Sequence, residues 1–266
     1  MGRPRRIFSK RGIVKPPYNP LLEKYYHNRR NIFSKFDRGI WIDAEGWFSV
    51  TPERVAAATS QFMSAGAQGQ LFVDAFVGVG GNAIQQALND PRGIIIAVDI
   101  DPHKIELARH NAAIYGVAHR IQFIIGDFLQ LAPRLRADLC FLSPPWGGFI
   151  DYANDFSLAT LGAAQSGLDG FSLLDIAASV APCIGYYLPI QTKETELLML
   201  ADQRDDYHCD LVHLYWGRSR KQKARAILVC FRKKSSKEPV VEQDASKLDL
   251  VRPSHHQQLN RLVCHC

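Results

Sequence analysis

No stretch of this 266-residue chain stays apolar for the roughly 18 to 20 residues that crossing a bilayer takes. The basic start also lacks the apolar core of a signal peptide. These two absences predict a soluble, intracellular protein with no membrane partner. Cysteine is sparse: of six, only Cys264 and Cys266 stand close together, and neither a zinc-ribbon nor a disulfide-framework spacing is present. Cys140, Cys183 and Cys230 lie in apolar runs and read as reduced core thiols. Cys264-His265-Cys266, with His255 and His256, fits no common zinc module, so no metal is expected. Acids are the minority charge, 26 against 32 Lys and Arg, and the net charge of +6 points to an anionic partner, nucleic acid first.

The length suits one large α/β domain with extensions, and 47% hydrophobic and 22% charged residues are ordinary for a globular chain. Residues 1–19 read as a basic mobile arm carrying Arg3, Arg5, Arg6, Lys10, Arg11 and Lys15, a pattern that suits a nuclear signal, a phosphate clamp or a solvated tail. Residues 20–65 read as a small helical extension, with Tyr25, Tyr26, Ile32, Phe33 and Phe36 as an apolar face. Within it Thr51 suits an N-cap and Pro52 the first position of a helix, and Trp47 reads as core.

From 66 to 232, strand-like runs (71–76, 93–100, 121–125, 138–142, 183–188, 211–216, 226–231) alternate with helical patterns (81–89, 102–115, 167–180, 193–204). That alternation predicts an α/β fold: a seven-stranded, mostly parallel sheet with helices on both faces, ending in an antiparallel hairpin. Residues 233–266 turn polar without periodicity and are expected to be a disordered tail.

The strand ends carry the chemistry. Asp74-Ala75-Phe76-Val77-Gly78-Val79-Gly80-Gly81-Asn82 is a glycine-rich strand-to-helix turn that lets backbone approach a ligand. Its spacing departs from Gly-x-Gly-x-x-Gly, and Asp74 favours a ligand carrying an amino group over a pyrophosphate. Asp99 ends the second strand where such folds hold ribose hydroxyls, while Asp101 suits the cap of the helix opened by Pro102. Asp127-Phe128 ends the third strand, where the carboxylate can accept an adenine amino group or cap a helix. The ordered set describes a pocket for S-adenosylmethionine.

The fourth strand end is Ser143-Pro144-Pro145-Trp146-Gly147-Gly148, a rigid edge of carbonyls, a hydroxyl and a flat ring. Taken alone it also reads as a Pro-rich turn with a core Trp. Beside a methyl donor, Ser143 and Pro144 can hold the N–H groups of an exocyclic base nitrogen and aim its lone pair, while Trp146 stacks on the base. A cationic base such as 7-methylguanine would add a cation–π gain of roughly 0.5 to 2 kcal/mol.

With those residues in view, the sequence resembles the trimethylguanosine synthase family, which methylates N2 of the 7-methylguanosine cap. The matching blocks are Trp47-Phe48-Ser49-Val50-Thr51-Pro52-Glu53, the turn from Val73 to Asn82, Asp99 to Pro102, Ala108 to Ala112, Gly126-Asp127-Phe128 and Phe141 to Gly148. The resemblance implies a class I, Rossmann-like methyltransferase using S-adenosylmethionine, with an N-terminal extension that helps close the site. It implies cofactor contacts from Asp74, Phe76, Gly78, Gly80, Asn82, Asp99, Asp127 and Phe128, and a catalytic edge of Ser143, Pro144 and Trp146. Phe33, Thr51 and Asn111 would line the same site, and Lys24 would reach the cap phosphates. It also implies capped snRNA and snoRNA as partners, RNP proteins among them, and nuclear residence. Relatives tend to carry Arg after Tyr-x-Leu-Pro, whereas Ile190 follows Pro189 here, so that phosphate contact is either missing or supplied by Lys193 or by Arg218, Arg220, Lys221 and Lys223. Two other readings stay open: an amino methyltransferase acting on adenine or cytosine in nucleic acid, and a catalytically silent cap- or RNA-binding protein.

Overall fold

Period-two alternation of apolar side chains runs through the central strands and sorts them onto two helical layers. The computed structural model describes residues 20–65, 70–146, 156–161, 169–215, 224–234 and 260–265. Strands β1 (Leu71–Asp74), β2 (Ile94–Asp99), β3 (Ile121–Ile125), β4 (Leu139–Leu142), β5 (Cys183–Pro189), β6 (Tyr207–Tyr215), β7 (Ala226–Lys233) and β8 (Asn260–His265) form one sheet. Its order is β3-β2-β1-β4-β5-β7-β6-β8. The first five in that order run parallel, β7 is antiparallel to both β5 and β6, and β8 runs parallel to β6.

Phe72, Leu139, Phe141 and Tyr187 point to one face, and Val73, Cys140, Leu142 and Ile184 to the other. The first face is covered by α4 (Glu53–Ala65), α5 (Gly81–Asn89) and α6 (Pro102–Tyr115); the second by α7 (Phe128–Leu131), α8 (Gly170–Val180) and α9 (Glu194–Asp202). Every residue of β4 and β5 is buried, the pattern of parallel strands covered on both sides. Connections run outward from β1 through β2 to β3, then return to β4 on the other side of β1. That reversal leaves a crevice above β1 and β4, at the carboxyl ends of the strands, where open α/β sheets bind ligands.

The extension lies along α6. It comprises α1 (Pro20–His27), α2 (Arg29–Ile32), a single 3-10 turn at Phe36–Arg38, and α3 (Gly46–Ser49). Phe33 packs against Tyr115 with ring centroids 6.1 Å apart, and Trp41 stacks on His110 at 3.6 Å. Trp47 is buried against Tyr26 and Phe36, as its sequence context suggests.

Two expectations change. The tail contributes β8 at 260–265, so the sheet has eight described strands rather than seven; Leu262-Val263-Cys264 is too short an apolar run to stand out until the open edge of β6 is there to pair with it. Helix α4 begins at Glu53, one residue later than Pro52 suggested, and the Thr51 hydroxyl accepts from Asn82. The expected basic arm at 1–19, residues 216–223 and residues 235–259 lie outside the described residues, as do the side chains of Cys264 and His265.

Candidate active site

The crevice is a cleft of about 360 Å³ walled by four strand ends and the extension. From β1 come Phe76, Gly78 and Asn82; from β2, Asp99, Ile100 and Asp101; from β3, Asp127 and Phe128; from β4, Ser143, Pro144 and Trp146. The extension adds Glu45, Ser49, Val50 and Thr51.

The glycine turn is shaped by backbone need. Gly78 sits at φ +53 and Gly80 at φ +92, conformations costly for residues with a Cβ. A Cβ on Gly78 would meet nothing within 4 Å, so that position faces open cleft. A Cβ on Gly80 would lie 3.1 Å from the Ala108 Cα, so that glycine serves the close packing of α6 and does not itself line the cleft.

Asp99 is oriented by two backbone donors: Gly78 N–H to Oδ2 at 2.9 Å and Asp101 N–H to Oδ1 at 3.0 Å. A carboxylate has about four acceptor positions, so lone pairs remain for a ligand. Burial pushes its pKa up, against the pull of those two amides. Asp101 caps α6, accepting from His103 at 2.8 Å, and Asp127 caps α7, accepting from Leu129 at 2.9 Å. Asp127 thus fills the capping role while still lining the cleft. Phe128 is buried under it and packs on Phe76 at 6.0 Å.

The edge that follows β4 holds its indole firmly. Trp146 donates its Nε1–H to the Tyr187 carbonyl at 3.2 Å and stacks on the Tyr187 ring, centroids 5.3 Å apart and planes within 21°. Two constraints on one indole leave little rotational freedom, which suits a platform for a planar ligand.

Five carboxylates line the cleft (Glu45, Asp99, Asp101, Asp127 and Asp169) against one lysine, Lys104. In a chain of net charge +6, that local reversal selects a cationic ligand. Lys104 is itself committed, with Nζ 2.8 Å from Asp43 and 3.0 Å from Glu45. Burial pulls its pKa down, but those two carboxylates outweigh it and hold the ammonium above its ordinary value.

Several expected site residues stand elsewhere. Asp74 is buried behind the cleft wall, its Oδ1 3.4 Å from the Phe76 amide; burial pushes it up to about 7, the charge of Asp99 adds to that, and the Phe76 and Ala83 amides oppose it. Phe33 is core, because the apolar face of the extension closes on Tyr115. Asn111 is fully buried: its Oδ1 accepts from Trp41 N–H at 2.8 Å, and its Nδ2 donates to the carbonyls of Trp41 and Val79. It sews the extension to the glycine turn. Lys24 is exposed, its ammonium 4.9 Å from the Tyr25 ring centroid, and Lys193 is an exposed residue at the start of α9; neither lines the cleft. Gly147 and Gly148 lie outside the described residues, as do Arg218, Arg220, Lys221 and Lys223.

Sequence reading missed Ile100, 70% exposed on the cleft rim, and the group of Lys104, Glu45 and Asp169. A buried lysine needs acids, and Asp43-Ala44-Glu45 was the available signal; for Asp169 it was the helix cap whose carboxylate accepts from Ser172 at 2.7 Å.

A family model for RNA cap guanine-N2 methyltransferases matches residues 69–261, nearly three quarters of the chain. The chain belongs to the RNA cap guanine-N2 methyltransferases. Among its relatives, trimethylguanosine synthase of Schizosaccharomyces pombe is 38% identical over 205 residues, covering 71% of this chain and 79% of that protein. The trimethylguanosine synthase of Saccharomyces cerevisiae is 40% identical over 141 residues, 50% of this chain but only 44% of that protein. A methyltransferase structure from Porphyromonas gingivalis W83 superposes with a TM-score of 0.59 at 13% identity, covering 88% of this chain and 59% of that one, which establishes the class I methyltransferase fold. Membership makes this chain an enzyme of cap methylation, and the readings as an adenine or cytosine methyltransferase and as a silent scaffold fall away.

The cleft suits S-adenosylmethionine, the methyl donor that family and fold imply. The exposed Ile100 beside Asp99 offers an apolar face to an adenine, Asp99 offers acceptors to a ribose, and the carboxylate majority suits a cationic sulfonium.

Proposed function

We propose that this cap guanine-N2 methyltransferase uses S-adenosylmethionine to methylate the exocyclic N2 of 7-methylguanosine caps on small nuclear and nucleolar RNAs, giving 2,2,7-trimethylguanosine. The observation that carries the proposal is that the Ser143-Pro144-Trp146 edge shares one cleft with Gly78, Asp99 and Asp127. The names of both yeast relatives support the doubly methylated product.

Each step follows from the chemistry of the edge. N2 of guanine is a weak nucleophile because its lone pair is delocalised into the ring. The Pro144 carbonyl and the Ser143 hydroxyl are the acceptors that hold its N–H groups and turn the lone pair out of conjugation. Trp146, fixed on Tyr187, stacks on the base, and a 7-methylguanine cation gains more from that stack than guanine does, by roughly 0.5 to 2 kcal/mol. When bound, S-adenosylmethionine supplies an electrophilic methyl on a sulfonium whose charge is neutralised on transfer. The carboxylates of the cleft offset the cationic pair beforehand, and solvent takes the proton released from N2.

Transfer of labelled methyl to 7-methylguanosine triphosphate, guanosine triphosphate and an adenine-containing oligonucleotide tests this. Transfer is expected to the 7-methylated cap alone, falling at least tenfold in Trp146→Ala through loss of the stack. Asp99→Ala should raise the KM for the methyl donor at least tenfold, removing an oriented acceptor. Equal transfer to unmethylated guanosine triphosphate would overturn the role of Trp146. Nuclear residence belongs to the same proposal, resting on the basic arm; a reporter fused to residues 1–30 that stays in the cytoplasm would count against it.

A further inference from the structure

Behind the cleft wall, between α4, α5 and strands β1, β2 and β4, lies a second and much smaller space of about 20 Å³. Most of its wall is apolar, from side chains such as Met63, Phe72 and Leu139. Three polar groups interrupt that wall: Thr59 from α4, Asn82 from α5 and the carboxyl of Asp74 from β1. Ser60 and Gln86 also reach it but satisfy each other, the Ser60 hydroxyl donating to Gln86 Oε1 at 2.8 Å.

Two of the remaining polar atoms are not satisfied. Thr59 Oγ1 and Asn82 Oδ1 are both buried and have no hydrogen-bond partner. Asn82 Nδ2 is occupied, donating to Thr51 Oγ1 at 3.1 Å, so its carbonyl end is the one left over. Two orphaned buried polar atoms on one small space cost about 1 to 3 kcal/mol each if nothing meets them. A helical threonine can instead donate back to a carbonyl of its own helix, and Thr59 does not.

We infer that this space is a binding site for one ordered water, held by Thr59, Asn82 and Asp74. The donor and acceptor count closes: the Thr59 hydroxyl donates to the water, and the water donates one hydrogen to Asn82 Oδ1 and the other to the Asp74 carboxyl. The volume fits, since one water needs about 10 to 15 Å³ of such space and typically makes about three hydrogen bonds. A larger polar ligand does not fit, and an apolar one would leave Thr59 Oγ1 and Asn82 Oδ1 unmet.

The site reaches the cleft through Asn82, which belongs to both walls and holds Thr51, another cleft residue. The water therefore links α4 to the glycine turn and fixes the Asn82 amide. By donating to Asp74 it also favours the ionised carboxyl, opposing the burial that pushes this group up to about 7. The other groups facing Asp74 are Asp99 from β2, whose charge opposes ionisation, the buried Cys140 thiol from β4, and the amides of Phe76 and Ala83, which favour it. The water site stands on the geometry of the cavity alone; its effect on the methyl donor rests on the cofactor reading proposed above.

The test pairs high-resolution diffraction of the full chain with titration of S-adenosylmethionine binding, using Thr59→Val and Thr59→Ser. The expected result is one density peak about 2.7 to 3.2 Å from Thr59 Oγ1, Asn82 Oδ1 and a carboxyl oxygen of Asp74, kept in Thr59→Ser and lost in Thr59→Val. Donor affinity at pH 7 should fall about fivefold in Thr59→Val, the net worth of one hydrogen bond, with its pH midpoint moved upward and both restored in Thr59→Ser. An empty cavity in the unaltered protein, or a direct bond between Thr59 and Asn82 that closes it, overturns the inference. A water lost in Thr59→Val with donor affinity and pH midpoint unchanged overturns its link to the cleft. If the unaltered protein binds no S-adenosylmethionine at any pH, the cofactor reading fails instead, and the density alone decides the water.

Discussion

Asp74 shows how burial can change the part a residue plays. Its position at the end of β1 suggests a direct contact with ligand, yet it is 4% exposed and its pKa is raised from 3.8 to about 7. The folded state therefore holds this proton more tightly than the unfolded state does. Its contribution to stability is full below about pH 4 and is lost as pH rises towards 7, a fall on the order of 4 kcal/mol. Asp74→Asn cannot titrate, so its melting temperature relative to the unaltered protein should climb from pH 5 to about pH 7 and level off by pH 8. Thermal melts of both proteins across that range check it, and a constant difference would show that Asp74 is ionised in the fold throughout. The place of Trp146 on the cleft was legible from the sequence, but its partner Tyr187 was not, because the two rings meet only when β4 and β5 pair.

At the scale of elements, the extension depends on polar clamps as much as on packing. Asn111 satisfies three backbone groups, two on Trp41 and one on Val79, from a position with no solvent exposure. Asn111→Leu keeps the volume and orphans all three, which should destabilise the protein by roughly 2 to 5 kcal/mol. Hydrogen exchange should then show lost protection at Trp41 before any loss in β1 or β4, whereas uniform loss would mean the clamp belongs to the global core. Lys104 makes a similar tie nearer the cleft. Lys104→Met leaves Asp43 and Glu45 unpaired beside a wall already rich in carboxylates, so residues 43–50 should become the fastest site of proteolysis. Cleavage rates with and without the methyl donor measure this. In the sequence Asn111 was visible only as part of a matching block; nothing in its local pattern separates a buried clamp from a substrate contact.

Across the whole molecule, charge is divided by place. The chain carries +6 overall, while five carboxylates gather in the cleft. Long-range attraction for an RNA chain and short-range attraction for a cationic base are thereby separated. Raising salt should weaken a capped RNA far more than a cap mononucleotide, because only the chain releases counterions along its length. KM values for the two substrates between 50 and 200 mM salt, a range over which phosphate contacts lose affinity by powers of ten, test the division (about 10³ for six contacts). The same scale includes β8, which covers the edge of β6. Truncation after residue 259 should expose that edge and promote self-association, measured by sedimentation, while cap methylation persists because β6 lies four strands from β1.

The sequence by itself determined the succession of elements and the chemistry at each strand end. Helices 81–89 and 102–115 and strand 121–125 were legible to the residue, because periodicity and caps are local properties of the chain. The ordered Asp99, Asp127 and Ser143-Pro144-Trp146 were legible too, since strand ends carry function wherever the sheet reverses direction. Only the tertiary structure decided which residues face the cleft. It turned Asp74, Phe33 and Asn111 inward, brought Lys104 to two acids more than fifty residues earlier in the chain, and paired residues 260–265 with β6. Burial and pairing across distant segments depend on which surfaces meet, and no local pattern encodes that.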